Sequence, residues 1–565
     1  MKKKLLILLP LVAFASLTAS GADIDSETAR KRGQAFMERT GAWYATGRDI
    51  GLRRGALTLA YTAAGNEGTG FYVFNREGGG FVLVSAYDGA EEILGYSQHG
   101  TFDYSQAPDE MKFWLDSYVR QIDCARAAGS QMKTRSDAHD GWHDIEPLIE
   151  THWNQDAPYN MFCPEIDGER TMVGCGAVAA AQILNYNRWP AKGRGTVSYY
   201  SGSILISNDL SSHSYVWSDM PAKCYSNDDA RNVAQLLYDC STAMETEYGL
   251  RKDGGSGSYS TLYPHTFVSY FDYDSTALFL MRPMFDDSEW NAMIYNELAC
   301  GRPVLYCGQT DKYGGHAFVC DGYSSSKDMF HMNFGWGGNW DAYIKLEAIR
   351  TSGVFDFSDD QEAVVNIMRN TDAEPVPNLI LLEKGNITCT NIFKYGQYTT
   401  FLWDCGTYIE DSQEYDNMVT SVSCVPVSVQ LGLKITDTGT GRAVYVVSDD
   451  DSNIYDLSVE MGLPYFYVIG VIMPELPNGV YHVEPVYRLE RYRHSEPDSH
   501  WYEIGVFKGC TKYYEMVIGT PAGVSVTRSD DGCGNLYWTV DGRAGIGLGR
   551  GVMIYNGKKY RHEGM

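Results

Sequence analysis

Hydrophobic and polar positions change rhythm several times along the chain. Between residues 108 and about 128, Met111, Trp114, Leu115, Tyr118 and Ile122 recur at spacings of three and four, the stripe of an amphipathic helix. Ahead of it the rhythm is shorter. Residues 70–74 and 81–86 are apolar runs on either side of the Gly78-Gly79-Gly80 turn and predict a hairpin with a longer loop, and Ile93–Ser97 predicts a further strand. Residues 23 to about 60 have helical composition, as in Ala29-Arg30-Lys31-Arg32 and Gln34-Ala35-Phe36-Met37-Glu38. Residues 23–140 thus predict a small α+β unit closed by a polar, aperiodic linker at 129–140, where Lys133 and Arg135 would be open to proteolysis.

Residues 141–370 form a second unit. Helices are predicted at 175–187, 228–244 and 286–300, and strands at 303–307, 316–323, 329–334 and 342–346. Helices first and strands later is an α+β order. Ala373-Glu374-Pro375-Val376-Pro377-Asn378 then reads as a linker. Short alternating strands follow, at 425–435, 443–447 and 465–472, as an all-β, sandwich-like domain over 371–515 requires, and 516–565 reads as a small β module.

Composition bounds the function. At 565 residues the chain is too long for one core. A net charge of -26 argues against nucleic acid, whose phosphates call for a basic surface. Lys2, Lys3 and Lys4, the apolar run from Leu5 to Leu17 and the small residues Ser20-Gly21-Ala22 read as a secretory signal over residues 1–22, cleaved after Ala22. No later stretch is long and apolar enough for a transmembrane helix. The expected destination is outside the cell or at its surface, with the periplasm of a Gram-negative cell as another. Thirteen cysteines leave at least one free thiol and allow a pair or two of bridges; their scatter lacks the close pairs of a zinc site. No metal and no cofactor is expected.

The chemistry centres on residues 171–190. Gly174 and Gly176 flank Cys175, and an Ala-rich run follows, ending in Ile183 and Leu184 and closed by Pro190. Cys175 therefore sits where a loop becomes a helix, and unpartnered N–H groups and the helix dipole there favour a thiolate. A core cysteine opening a buried helix has the same local signature. A cysteine nucleophile needs a base, and His316 is the best placed, with Gly314 and Gly315 before it and an apolar strand after it. Asn333, among aromatics, can accept from an imidazole N–H, and Gln155 can donate to an oxyanion beside the Cys175 backbone N–H. Each has a structural reading as well: a core histidine, a glycine-rich turn, a loop amide.

Together these stretches resemble the streptopain family of secreted, papain-like bacterial cysteine peptidases. The resemblance rests on Gly174-Cys175 with Ala181-Gln182-Ile183, on Gly314-Gly315-His316-Ala317-Phe318-Val319 with Asp321-Gly322-Tyr323, on Asn333 with Gly335-Trp336-Gly337-Gly338, and on Trp153-Asn154-Gln155 and Pro158-Tyr159-Asn160. It implies a papain-like fold, Cys175 as nucleophile, His316 as general base and acid, Asn333 as orienting residue and Gln155 as oxyanion donor. It also implies a substrate-contacting set of Gly255, Ser256, Gly257, Gly315 and Trp336, the first three from the glycine-serine stretch 254–258, whose backbone could pair with an extended peptide. Phe71-Tyr72-Val73-Phe74, Ile93-Leu94-Gly95-Tyr96-Ser97 and Met111-Lys112 with Trp114-Leu115 are similar to the family's propeptide, implying an intramolecular inhibitor at 23–140.

Two positions depart from the family pattern: Phe334 stands where Trp is usual, and Gly176 where Val is usual. The far end, Leu536-Tyr537-Trp538-Thr539-Val540-Asp541-Gly542 and the Gly551–Tyr555 segment with Asn556-Gly557-Lys558, is similar to sorting-type modules of exported Bacteroidetes proteins. The chain is thus expected to be a secreted cysteine endopeptidase made as a zymogen, acting on proteins or peptides. The rival readings are a catalytically inactive or weakly active surface binding or adhesion protein working through its β domains, and acyl transfer or amidase chemistry on the same Cys–His pair.

Overall fold

The computed structural model describes residues 21–39, 55–107, 109–127, 141–310, 314–346, 361–381, 386–389, 398–404, 407–409, 414–416, 419–447, 454–459, 466–493, 495–496, 499–507, 513–518, 538–539, 551–555 and 558–562. The signal segment up to residue 20, the linker expected at 129–140 and the turns at 541–542 and 556–557 lie outside the described residues.

Helix α1 (Ser26–Arg39) begins where the Asp25 carboxylate accepts the Thr28 N–H at 2.7 Å. Its buried side, Ala29, Phe36 and Met37, meets Tyr72, Phe74, Val82 and Val84. Residues 57–60, expected within this helix, are instead strand: β1 (Leu57–Ala64) pairs antiparallel with β2 (Thr69–Arg76). Leu, Thr and Tyr at alternating places suit a pleated strand, and Leu57 and Ala63 supply its buried positions. Strands β3 (Phe81–Ser85) and β4 (Ile93–Ser97) complete the amino-terminal part of the sheet, and α2 (Asp109–Ala127) lies across it through Met111, Trp114, Leu115, Tyr118 and Ile122.

Strands β5 (Leu278–Met281), β6 (Val304–Thr310), β7 (Gly314–Ser324), β8 (Met329–Asn333), β9 (Ala342–Ile344) and β10 (Gln361–Val365) continue that same sheet. It has ten strands in the order β1-β2-β3-β4-β9-β8-β7-β6-β10-β5, paired antiparallel throughout. The junction is β4 against β9, where Tyr96 pairs with Tyr343 and Gly95 with Ile344. Gly95 permits the close approach, since a Cβ there would lie 3.1 Å from both the Tyr343 carbonyl oxygen and the Ile344 side chain. The Tyr96 and Tyr343 rings stack with centroids 5.3 Å apart, and the Tyr118 hydroxyl of α2 donates to the Lys345 carbonyl at 2.5 Å.

Both faces of the central strands are covered, so their sequences are nearly continuous apolar runs. Leu305, Cys307, Ala317, Val319 and Val364 point to one side, where they meet α3 (Cys175–Asn187) and α4 (Asn227–Ala243). Val304, Tyr306, Phe318, Cys320, Ala363 and Val365 point to the other, toward α2 and α5 (Asp287–Ala299). This alternation is the period of two that a pleated strand imposes. Capping boxes at Ser226/Asp229 and Asp286/Glu289 start α4 and α5.

Beyond residue 371 the described elements are strands apart from one short 3-10 turn at Glu490–Tyr492. Phe401 and Val471, from one sheet, share a core with Val429, Leu431, Leu433 and Val483 of another. The architecture is therefore α+β, followed by all-β sheets. Strand Tyr514–Ile518 pairs with Gly479–Leu489, so that sheet runs past the boundary expected at residue 515. Strands Trp538–Thr539, Gly551–Tyr555 and Lys558–His562 form a separate antiparallel sheet. Cys124, Cys163, Cys175, Cys224, Cys240, Cys300, Cys307, Cys320 and Cys424 are free thiols, and among the described residues no helix is long and apolar enough to cross a membrane.

Tyr96 is the ring on which α1, β4 and β9 converge, with Phe36 edge-on at 5.2 Å and Tyr343 stacked. Tyr96→Ala should cost about 3–5 kcal/mol of stability. Urea unfolding followed by tryptophan fluorescence should show a lower midpoint; an unchanged midpoint would remove Tyr96 from the core.

Candidate active site

Cys175 is the first residue of α3, and Gly174 before it has φ 101°, a left-handed conformation that glycine adopts without strain. The thiol is half-buried, and its Sγ accepts the Ala317 backbone N–H at 3.3 Å. A helix N-terminus and an aimed N–H both stabilise negative charge on sulfur. Other thiols are differently placed. Burial pushes Cys163 up to about 12 and Cys224 to about 11, and holds Cys240, Cys307 and Cys320 well above the ordinary thiol range.

The glycine at 176 has a steric reason. A Cβ there would sit 2.5 Å from the hydroxyl oxygen of buried Tyr263. That phenol fills the space beside the first turn of α3, and the Ser258 hydroxyl donates to it at 3.4 Å.

His316 lies on β7, next to the residue whose N–H reaches Cys175, and is buried. Its ring stacks on Trp336 with centroids 4.5 Å apart and planes 14° off parallel, and Phe318 and Phe334 extend the aromatic bed. Its Nε2 faces the Phe334 carbonyl oxygen at 3.0 Å. A carbonyl only accepts, so this contact assigns the proton of the neutral ring to Nε2 and the lone pair to Nδ1.

Asn333 is fully buried, and its side chain is turned elsewhere. Its Oδ1 accepts from the Gln182 amide at 3.1 Å and the Gly335 N–H at 3.1 Å, and its Nδ2 donates to the Thr151 carbonyl at 2.9 Å. The hydrogen bond expected from His316 to Asn333 is therefore replaced by one to the carbonyl of the next residue. Gln182 in turn accepts from the Thr151 hydroxyl at 3.0 Å and the Trp153 N–H at 3.3 Å, tying α3, β8 and the 151–155 segment into one network. Asp341 accepts the Phe334 N–H at 3.0 Å and so holds that residue from the other side. Gln182 stands within a sequence motif that assigns it no part, and Thr151 and Asp341 lie outside every motif. The signal for Gln182 was a lone amide in a buried apolar helix, which must find partners.

Gln155 is buried, and its carbonyl accepts the Val173 N–H at 3.1 Å, which fixes it beside the approach to Cys175. The 254–258 stretch is tied inward. The Ser256 hydroxyl donates to the Met172 carbonyl at 2.7 Å, Gly255 N–H reaches Leu250, and Gly257 exchanges both backbone hydrogen bonds with Glu247. Gly257 thus has its N–H and C=O engaged within the chain, contrary to the expected pairing with a peptide, because the loop closes as a small bridge on residue 247. Gly315 is exposed and Trp336 is buried beneath His316. His331 is bonded through Nδ1 to buried Asp321 at 2.6 Å, a pair across adjacent strands, and among the described residues no group of His, Cys, Asp and Glu is placed to hold a metal ion.

Residues 153–344 match the family model described as the Peptidase C10 family, and residues 22–122 match that of the Spi protease inhibitor. Over 397 residues the chain is 30% identical to the thiol protease/hemagglutinin PrtT of Porphyromonas gingivalis, an overlap of 66% of this chain and 44% of that protein. The chain therefore spans less than half the length of that relative. Over 340 residues it is 31% identical to Streptopain of Streptococcus pyogenes, covering 53% of this chain and 81% of that one. Among solved structures, a fragment of Prevotella intermedia prointerpain A is 28% identical, covering 57% of this chain and 100% of the fragment with a TM-score of 0.49.

The fit of Tyr263 against Gly176 is open to test. Gly176→Ala should destabilise the chain by about 1–3 kcal/mol through overpacking, and Tyr263→Leu in the same chain should recover most of that loss. A double-mutant cycle in urea reads the coupling; additive effects would show that the two residues do not share the space.

Proposed function

We propose that this chain, which belongs to the Peptidase C10 family of cysteine peptidases and carries an inhibitor domain ahead of its peptidase, is exported as a zymogen that hydrolyses internal peptide bonds once matured. The observation that carries this reading is the docking of β7 on α3. The Ala317 N–H meets the Cys175 sulfur while the adjacent His316 ring is locked by stacking and by the Phe334 carbonyl.

In this reading the Cys175 thiolate attacks the scissile carbonyl. The negative charge that develops on its oxygen is met by the Cys175 backbone N–H and the Gln155 amide. His316 takes the thiol proton on Nδ1 and returns it to the leaving amine, leaving a thioester on Cys175. It then removes a proton from water, which attacks the thioester and releases the acid product. The Phe334 carbonyl accepts from Nε2–H throughout, fixing the tautomer and stabilising the imidazolium. Asn333 acts at one remove, holding the chain at residues 333–335 through Gln182 and Thr151. Gly315 and the Gly255–Ser256 backbone flank the approach to Cys175, and Trp336 supports His316 from beneath.

The inhibitory reading is supported by continuity. Trp114 of α2 lies edge-on to Phe318 at 6.0 Å, within the same buried cluster as Phe334 and Trp336, so the aromatic bed under His316 is also the bed of the amino-terminal unit. Cleavage in the 129–140 stretch would allow that unit to leave.

The test compares wild type with Cys175→Ala under reducing conditions, by gel and mass analysis with casein present. Wild type should trim itself near residues 129–145 and degrade casein. The mutant should do neither, keeping below about a thousandth of wild-type activity. Asn333→Ala should retain nucleophile reactivity but lose about tenfold or more in kcat, because its effect on His316 is indirect. A wild-type chain that stays inert even after trypsin removes its amino-terminal unit would sink the proposal.

A further inference from the structure

Beside the nucleophile the sheet lays out a row of side chains that the reaction itself does not use. Ala317, whose N–H meets the Cys175 sulfur, is the register partner of Cys307 on β6, and Cys307 is the register partner of Glu362 on β10. Paired residues in an antiparallel sheet project to the same face. That face is the α3 side, since Leu305, Cys307, Ala317, Val319 and Val364 all bury there and Glu362 is two residues from Val364. Two strand spacings of about 4.8 Å put the carboxylate end of the row roughly 10 Å from Ala317.

The row is small and apolar near Cys175 and acidic at its far end. Tyr263 stands at the end of the row near Cys175: its hydroxyl crowds the Gly176 position and meets the Ser258 hydroxyl at 3.4 Å. Ser260, three residues ahead of Tyr263, acts on the Glu362 carboxyl and favours its ionised form. Glu362, Ser258 and Ser260 are only partly buried, so the acidic end reaches solvent. Burial raises the Glu362 pKa, Ser260 opposes that, and among the described residues no cation acts on it. A half-buried carboxylate with no cation among the described residues is costly to keep ionised, and a cation brought to it recovers that cost.

We propose that Glu362 is a specificity-determining residue: it receives the Lys or Arg side chain of a substrate residue next to the scissile bond, whose methylenes run along Ala317 and Cys307 while its charged head meets the carboxylate. The stem of a lysine or arginine is long enough to cross the small residues and amphipathic enough to lie on them. The peptidase reading above is its premise.

The experiment uses the full chain, matured under reducing conditions or by limited trypsin cleavage, with trypsin then inhibited. Active enzyme is counted by alkylation of Cys175. Peptide libraries varied at each position within two residues of the cut are assayed for wild type, Glu362→Gln and Glu362→Ala. At one position wild type should favour Lys or Arg over neutral side chains. Glu362→Gln should lower kcat/KM for the basic peptides by about ten- to hundredfold, the range of a charge-assisted contact, and leave the neutral ones within about twofold. Uniform loss across all peptides, or an unchanged basic-to-neutral ratio, overturns the assignment and leaves the peptidase reading intact. Failure of wild type to cut any peptide overturns both.

Discussion

One contact joins the halves of the active centre: the Ala317 N–H on the Cys175 sulfur. It is a backbone contact, so its geometry depends on how β7 sits against α3, and that in turn depends on the burial of both. α3 is buried from Gly176 through Leu184, and β7 is held by β6 on one side and β8 on the other. A loosened sheet would move the histidine and the N–H together, away from the thiol. Gln182 guards against this by linking α3 directly to Asn333 on β8, so helix and sheet are tied by a hydrogen bond as well as by apolar packing.

The same sheet seats the unit that matches the inhibitor family. Its attachment is by an edge, β4 on β9, and two register pairs make up that seam. The larger part of the hold is apolar, through α2 and the rings of Tyr96 and Tyr343. Losing the unit would open the β9 edge and uncover aromatics that extend to the histidine. Covering that edge and bracing the His316 ring are thus two consequences of one packing arrangement.

Much of this was legible in the chain. The apolar stripe of α2, the helix opened by Cys175 and the strand carrying His316 follow from periodicity and from glycine placement, and their boundaries shift by a residue or two. What escaped reading shares a physical cause. Residues 57–60 belong to a strand because β2 pairs with them, and no local composition encodes that partner. Strands β5 and β10 are short and flank the core, as is the hairpin of Thr196–Ser201 with Ile204–Asp209, and each is defined by its neighbours. At the site, the motif residues come together. The acceptor for His316 is nevertheless a main-chain carbonyl, to which the side-chain sequence is blind. Gly176 has its reason in Tyr263, eighty-seven positions away.

That carbonyl also settles what the phenylalanine at 334 means for the chemistry. If the histidine leaned on the side chain of residue 334, replacing an indole by a phenyl would remove an N–H and a large ring from the centre. Here residue 334 contributes its backbone: the C=O meets Nε2 at 3.0 Å, and its N–H is held by Asp341 at 3.0 Å. Both groups persist whatever the side chain. The ring itself has only to fill space and stack, and Phe334 does so against Trp336 at 5.3 Å and Phe318 at 4.9 Å. The constraint on this position is therefore an aromatic plane of suitable size attached to a peptide unit clamped at both ends. Asn333 and Asp341 are the groups that set the clamp, so the buried polar network behind the histidine, more than the identity of the ring in front of it, determines where Nδ1 of His316 lies.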